Sequence, residues 1–144
     1  GFESFDQNYF EQFLINYANE KLQQQFNKFV FEMEQVEYQN EQIKWDFVEF
    51  PDNKISIDLI EAKPHGILSL LDEQCIVPQA SDQKLAGNLY KHLNSHPNFK
   101  NTKQHTVEFK FIIQHYAGDI TYTTEGFLDK NRDTVYEEGY RLQI

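Results

Sequence analysis

Residues 8–38 read NYFEQFLINYANEKLQQQFNKFVFEMEQVEY, with no glycine or proline among them. Phe10, Phe13, Leu14, Tyr17, Leu22, Phe26, Phe29, Val30, Met33 and Val36 recur at steps of mostly three or four. That spacing lays one apolar stripe along an α-helix of 3.6-residue period. Asn8 followed three positions later by Glu11 has the form of a capping box. The Asn8 side chain would accept from an orphan backbone N–H, and Glu11 would reach back. At 1.5 Å per residue the stretch predicts a rod of roughly 45 Å. A helix of that length in so short a chain is built to connect.

Outward from the rod, residues 40–60 change character. Ile43, Trp45, Phe47, Val48 and Phe50 alternate with charged residues, which predicts a loop or short extended stretch. Pro51-Asp52-Asn53 then forms a turn cluster. Ile55, Ile57, Leu59 and Ile60 follow, and Lys63-Pro64-His65-Gly66 breaks the chain again. Ile67, Leu68, Leu70 and Leu71 predict a short helix ending near Cys75. Ile76-Val77-Pro78-Gln79-Ala80 reads as a loop, and Ser81 as the N-cap of a second helix running to about Leu93. Gly87 weakens that second helix. Residues 92–106 are polar and predict a surface connection. Val107, Phe109, Phe111 and Ile113 alternate with period two, Tyr116-Ala117-Gly118-Asp119 supplies a turn, and Ile120-Thr121-Tyr122-Thr123 returns as a β-branched strand. Residues 126–133 read as the loop that closes this hairpin. The fold class expected is α+β, mainly α.

Composition bounds the function. The chain has 144 residues, of which 40% are apolar, and its 13 Phe, 8 Tyr and single Trp can fill a bulky core. The formal net charge is -10. That argues against nucleic acid, which calls for a basic stripe, and against an anionic membrane surface. No apolar run approaches the ~20 residues needed to span a bilayer. One cysteine, Cys75, excludes an internal disulfide framework and fits a reducing compartment. Gly1-Phe2-Glu3-Ser4-Phe5 is neither a start methionine nor a signal peptide, so the sequence reads as an internal piece.

Taken in order, these pieces resemble the middle of a myosin motor head. Gly1-Phe2-Glu3 resembles the end of switch II, whose family form is Asp-Ile-x-Gly-Phe-Glu, and Asn8 through Gln24 the start of the relay helix. Glu37-Tyr38, Ile43-x-Trp45, Asp52-Asn53 and Ile57-Asp58-Leu59-Ile60-Glu61 resemble the relay loop and its continuation. The stretch from Lys63-Pro64-x-Gly66 to Asp72-Glu73, with Pro78-x-Ala80-x-Asp82 and Lys84-Leu85 to Leu89-Tyr90, resembles the actin-binding helix-loop-helix. His115-Tyr116-Ala117-Gly118 and the run 126–131 resemble the strands and loop beyond. Divided this way, residues 1–7 end switch II, 8–40 are relay helix, 41–53 relay loop, 64–93 helix-loop-helix, 106–133 hairpin and loop, and 134–144 an atypical end.

The resemblance implies roles. Gly1 would meet the γ-phosphate of Mg-ATP through its backbone N–H in a complete motor, and Glu3 would pair with an arginine of switch I. Asn8, Phe10 and Trp45 would carry the mechanical relay toward the converter, a short hydrogen-bond event amplified by a stiff rod. Ile76, Val77, Pro78, Ala80 and Lys84 would contact F-actin, although Gln79 stands where the family often has a basic residue. The hairpin would touch the central sheet of the complete head. A cytoplasmic, cytoskeleton-associated motor follows from the same resemblance.

The chain itself has no Gly-Lys-[Ser/Thr], so the phosphate-cradling P-loop is missing and no cofactor is expected for it alone. The alternative is a non-hydrolysing remnant of such a motor that only binds actin or another partner. His92 and His96 have a metal-ligand spacing, but Asn94-Ser95 and Pro97 end the helix there, and no metal is expected. Cys75 reads as a small buried hydrophobe, and Asp72, Glu73 and Asp82 as a solvated helix face. Cut from a larger head, the rod is expected to leave Phe10, Phe13, Phe26 and Phe29 partly uncovered.

Overall fold

The first apolar stripe does form a helix, and its two halves live in different surroundings. In the computed structural model, which describes residues 7–41 and 53–138, helix α1 runs Phe10–Asn40. Phe10, Phe13 and Tyr17 are buried, along with Asn16 and Glu20, whereas Leu22, Phe26, Phe29, Met33 and Val36 are exposed. The expectation that all four phenylalanines would be partly uncovered therefore fails for Phe10 and Phe13, which are 1% and 0% exposed. Aromatic partners supplied by this chain cover them: Phe10 meets Phe127 edge-on at 5.2 Å, and Phe13 meets Tyr122 at 5.6 Å.

The remaining elements gather around the buried half of α1. Helix α2 is Lys54–Glu61, α3 is Ile67–Ile76, α4 is Asp82–Leu93, and α6 is Phe127–Glu138. In α2 the residues Ser56, Ile57, Leu59 and Ile60 turn inward while Ile55 faces out. Gly66, between α2 and α3, is set by close approach, since a Cβ there would lie 2.5 Å from the Ala62 carbonyl oxygen. Ser81 caps α4 as its sequence predicts, its side chain accepting from the Lys84 N–H at 3.1 Å.

Strands β1 (Phe99–Lys100), β2 (Lys110–His115) and β3 (Gly118–Thr123) form an antiparallel sheet in the order β1-β2-β3. His115 pairs with Gly118, so Tyr116 and Ala117 make a two-residue hairpin turn. Phe111 and Ile113 face the core from β2, Ile120 and Tyr122 from β3. Phe99, Phe111 and Tyr122 stack across the three strands at 5.7 and 5.5 Å. Together with Leu59, Ile60, Leu70, Leu71, Leu85, Leu89 and Phe127 they make one contiguous core.

Four local expectations give way. The Asn8–Glu11 capping box does not form: Tyr9 is the N-cap and no side chain caps the helix. Asn8 is instead buried, and its amide donates to the Thr121 carbonyl at 2.9 Å. Val107 and Phe109 do not begin a strand. A capping box between Thr102 and His105 starts helix α5, Lys103–Glu108, and Phe109 ends it in the left-handed region at φ 59. The connection over residues 92–106 consequently carries β1 and the start of α5. Residues 126–133 are not a loop. They open α6, whose first-turn N–H groups are met by a residue far away in sequence.

Candidate functional site

Two places gather chemistry. The first lies where α1 leaves the core. Residues 13, 16, 17 and 20 share one helix face, so the spacing that buries Phe13 and Tyr17 also carries Asn16 and Glu20 inward. Glu20 and His115 have fully buried side chains, with Glu20 Oε1 3.2 Å from His115 Nδ1. His115 Nε2 lies 2.7 Å from the Tyr122 hydroxyl, which accepts from Asn16 Nδ2 at 2.9 Å. With His115 in the tautomer that carries its proton on Nδ1, the donors run one way: Asn16 to Tyr122, Tyr122 to His115 Nε2, and Nδ1–H to the carboxylate. Glu20 accepts further from the Tyr116 N–H at 3.1 Å and from Asn53 Nδ2 at 2.6 Å. Burial pushes the Tyr122 phenol well above its ordinary range, so it stays a donor at any physiological pH.

This cluster ties three distant stretches, α1, the start of α2 and the hairpin, through largely buried hydrogen bonds that a low dielectric strengthens. It is reinforced at its margin. The Tyr17 hydroxyl donates to the Glu61 carboxylate, which also takes the Lys21 ammonium at 3.2 Å. Past residue 21, α1 leaves the described core, and Leu22, Phe26, Phe29, Met33 and Val36 are exposed.

The second place is the tip between α3 and α4. Ile76 is 84% exposed, with Val77 and Pro78 also in solvent. The tip is nonetheless held in shape. Gln79 adopts φ 56, and its carbonyl accepts from Lys84 Nζ at 2.7 Å. Ala80 packs against the core. Of the five residues expected at this contact, Ile76, Val77 and Pro78 present an apolar surface, Ala80 anchors it, and Lys84 braces the turn beneath it. Asp82 is not part of a solvated face. Its carboxylate accepts from the N–H groups of Gly126 at 2.9 Å and Leu128 at 3.3 Å, so the first turn of α4 caps α6. Asp72 accepts from the Asn131 amide, and Cys75, half-buried rather than buried, lies 3.3 Å from the same amide nitrogen.

The other expected residues fall elsewhere. Phe10 lies in the core and Asn8 under the edge of β3. Gly1, Glu3 and Trp45 lie outside the described residues. His92 stacks on His65 at 4.3 Å between ring centroids, while His96, beyond α4, has its affinity for protons lowered by burial. Among the described residues no group of three or more His, Cys, Asp or Glu side chains is placed to hold a metal ion. No described helix is long and apolar enough to cross a membrane. Sequence reasoning missed Glu20, His115 and Tyr122. The usable signal was a charged residue in the middle of an apolar helix face, which asks for a buried partner.

Comparison with known proteins places this geometry. The family model described as myosin head (motor domain) matches residues 1–143. The chain is 54% identical over 142 residues to Myosin-6 of Arabidopsis thaliana, covering 99% of this chain and 9% of that protein. It is 56% identical over 138 residues to unconventional myosin-Vb of Homo sapiens, covering 96% of this chain and 7% of that one. With Myosin-4 of Saccharomyces cerevisiae the identity is 55% over 136 residues, 94% of this chain and 9% of the relative. The chain thus spans less than a tenth of the length of these relatives.

Proposed function

The chain belongs to the myosin head (motor domain) family, and on that premise we propose that it is the segment of an actin-based motor that relays movement and touches the filament. The observation that carries the reading is the division of α1. One half is locked into aromatic core and a buried polar cluster, and the other continues the same unbroken helix beyond them. A displacement at the locked end reaches the far end undiminished, because no glycine or proline interrupts the rod. In this reading Asn8 and Phe10 seat the near end, Trp45 follows the far end, and the converter of the complete head receives the motion. The hairpin of β2 and β3 would back the near end and lie toward the central sheet.

F-actin is the partner proposed for the tip. Ile76, Val77 and Pro78 form an exposed apolar surface braced from behind by Lys84 and Ala80, the preorganised kind of patch that marks an interaction site. Mg-ATP would be held by parts of the complete head beyond this chain, with only Gly1 and Glu3 contributed from here. No nucleotide step is assigned to the described residues. The motor would work in the cytoplasm on the cytoskeleton.

In a complete head containing this segment, Ile76→Gln combined with Pro78→Ser is expected to weaken binding to actin filaments at least tenfold in co-sedimentation. Unchanged co-sedimentation would remove the tip from the actin contact.

A further inference from the structure

The apolar tip of Ile76, Val77 and Pro78 hangs between two helix ends, and a single third helix holds both of them. On the α3 side, the Asn131 side-chain amide donates to the Asp72 carboxylate at 3.2 Å and to Cys75 Sγ at 3.3 Å. One residue further along α6, the Arg132 guanidinium donates to the Cys75 carbonyl at 3.0 Å. On the α4 side, the Asp82 carboxylate accepts from the Gly126 and Leu128 N–H groups. Helix α6 is in turn rooted in the core, since Phe127 is fully buried against Phe10 and Phe13, at 5.2 and 5.6 Å.

The chemistry of the helix ends explains the arrangement. The last carbonyls of α3 have no partner within their own helix and form its negative pole. Helix α3 brings no basic residue to its last turn, and Arg132 supplies the cation from α6. The first N–H groups of α6 have the opposite need, which Asp82 meets from the first turn of α4. Within the tip, the Lys84 ammonium holds the Gln79 carbonyl, a brace on the α4 side. The α3 side depends on α6.

We propose that α6 is the positioning element of the tip, with Asn131, Arg132 and Asp82 fixing the spacing and direction of its two ends and so setting its affinity for the filament. This rests on the reading of the tip as the actin contact. With one flank loose, the exposed tip samples more arrangements. A partner's apparent dissociation constant then rises as the fraction in the competent arrangement falls. Asn131 is 2% exposed and works from inside the fold. Arg132 works through the carbonyl of Cys75, the residue immediately before Ile76.

Co-sedimentation of a complete head containing this segment with actin filaments, at fixed salt, tests the proposal. The Arg132 side chain is half-exposed, so Arg132→Ala keeps the fold by circular dichroism. It is expected to raise the dissociation constant about three- to tenfold, and Arg132→Lys, which keeps a cationic donor for the carbonyl, to recover most of the loss. Asp82→Asn loosens the other flank and is expected to weaken binding by a similar factor. Arg132→Ala and Asp82→Asn change the net charge in opposite directions, so a long-range electrostatic effect would move the affinity in opposite directions. In the Ile76→Gln, Pro78→Ser background, Arg132→Ala is expected to add less than about twofold, because it acts through the tip.

Unchanged affinity in Arg132→Ala overturns the proposal, as do opposite shifts for Arg132→Ala and Asp82→Asn. A full additional loss in the tip-substituted background also overturns it, by making Arg132 a direct contact. If the tip substitutions alone have no effect, the actin reading fails, and hydrogen exchange at the Val77 and Gln79 amides decides the positioning role by itself. Exchange several-fold faster in Arg132→Ala supports that role, and unchanged exchange removes it.

Discussion

The two halves of α1 both carry large apolar side chains and meet opposite fates. From Phe10 to Glu20 the helix is fixed by two phenylalanines, a tyrosine and a carboxylate that takes donors from the hairpin and from Asn53. From Leu22 to Asn40 the same kinds of side chain, two phenylalanines and three aliphatics among them, remain in water. Helical periodicity cannot tell these apart, because it reports that a face exists and not what lies across from it. What separates them is Asn16 and Glu20. A buried carboxylate must be matched by fixed donors, and the donors that match it belong to this chain.

That contrast can be broken most forcefully by cutting equivalent side chains from each half. Phe13→Ala is expected to cost about 3–5 kcal/mol of unfolding free energy, since it empties a site between Tyr122 and Phe127. Phe29→Ala, at sub-micromolar concentration, is expected to fall within about 0.5 kcal/mol of the parent in the same urea titration. Equal losses from the two would mean that the projecting half is held as firmly as the rooted one.

A smaller effect separates the polar groups. Glu20→Gln keeps the shape but turns an acceptor of several N–H groups into a donor facing them, at a cost of about 1–3 kcal/mol. Glu32→Gln on the projecting half should shift stability by less than about 0.5 kcal/mol. If both substitutions proved neutral, the cluster would be a passenger on the aromatic packing.

The mildest test uses alkali. Burial pushes the Tyr90 hydroxyl up to about 12, and the Tyr122 hydroxyl is raised further by the same cause. Above pH 10 the unfolded chain loses phenolic protons that the folded chain keeps. The contribution of these two groups to stability is therefore constant below pH 10 and declines as pH rises toward 12 and beyond. Ultraviolet titration is expected to show the Tyr122 phenol ionising only with unfolding. Tyr122 ionising in the folded chain at the ordinary phenol value would contradict its place in the cluster.

How much of this could be read from the chain varies with range. The long helix, the Ser81 cap and the return strand depend on neighbours within a few residues, and they are where sequence reasoning puts them. Asn8 has the right partner for a capping box, yet its amide is taken by Thr121, 113 residues away. Helix α6 went unseen because its opening donors are satisfied by Asp82 and not by a local cap. Val107 and Phe109 alternate like a strand, but the Thr102–His105 box and a left-handed Phe109 decide otherwise. Glu20 was invisible for the same reason as α6: its partners come from residue 53 and residues 115–116. Family resemblance supplied the order of the pieces and could not supply these pairings.

Asn8 has one further consequence. Its side-chain amide donates to the Thr121 carbonyl while its backbone carbonyl accepts from the Thr123 N–H at 2.9 Å, so a single residue adds a rung to the outer side of β3 just before the rod begins. A tensile load entering along the backbone at residue 8 meets both bonds side by side and strains them in shear. They must rupture together, unlike the rungs of a peeled hairpin, which open one at a time. The junction between sheet and rod is thus toughest in the direction of the chain itself, and weakest to a sideways pull.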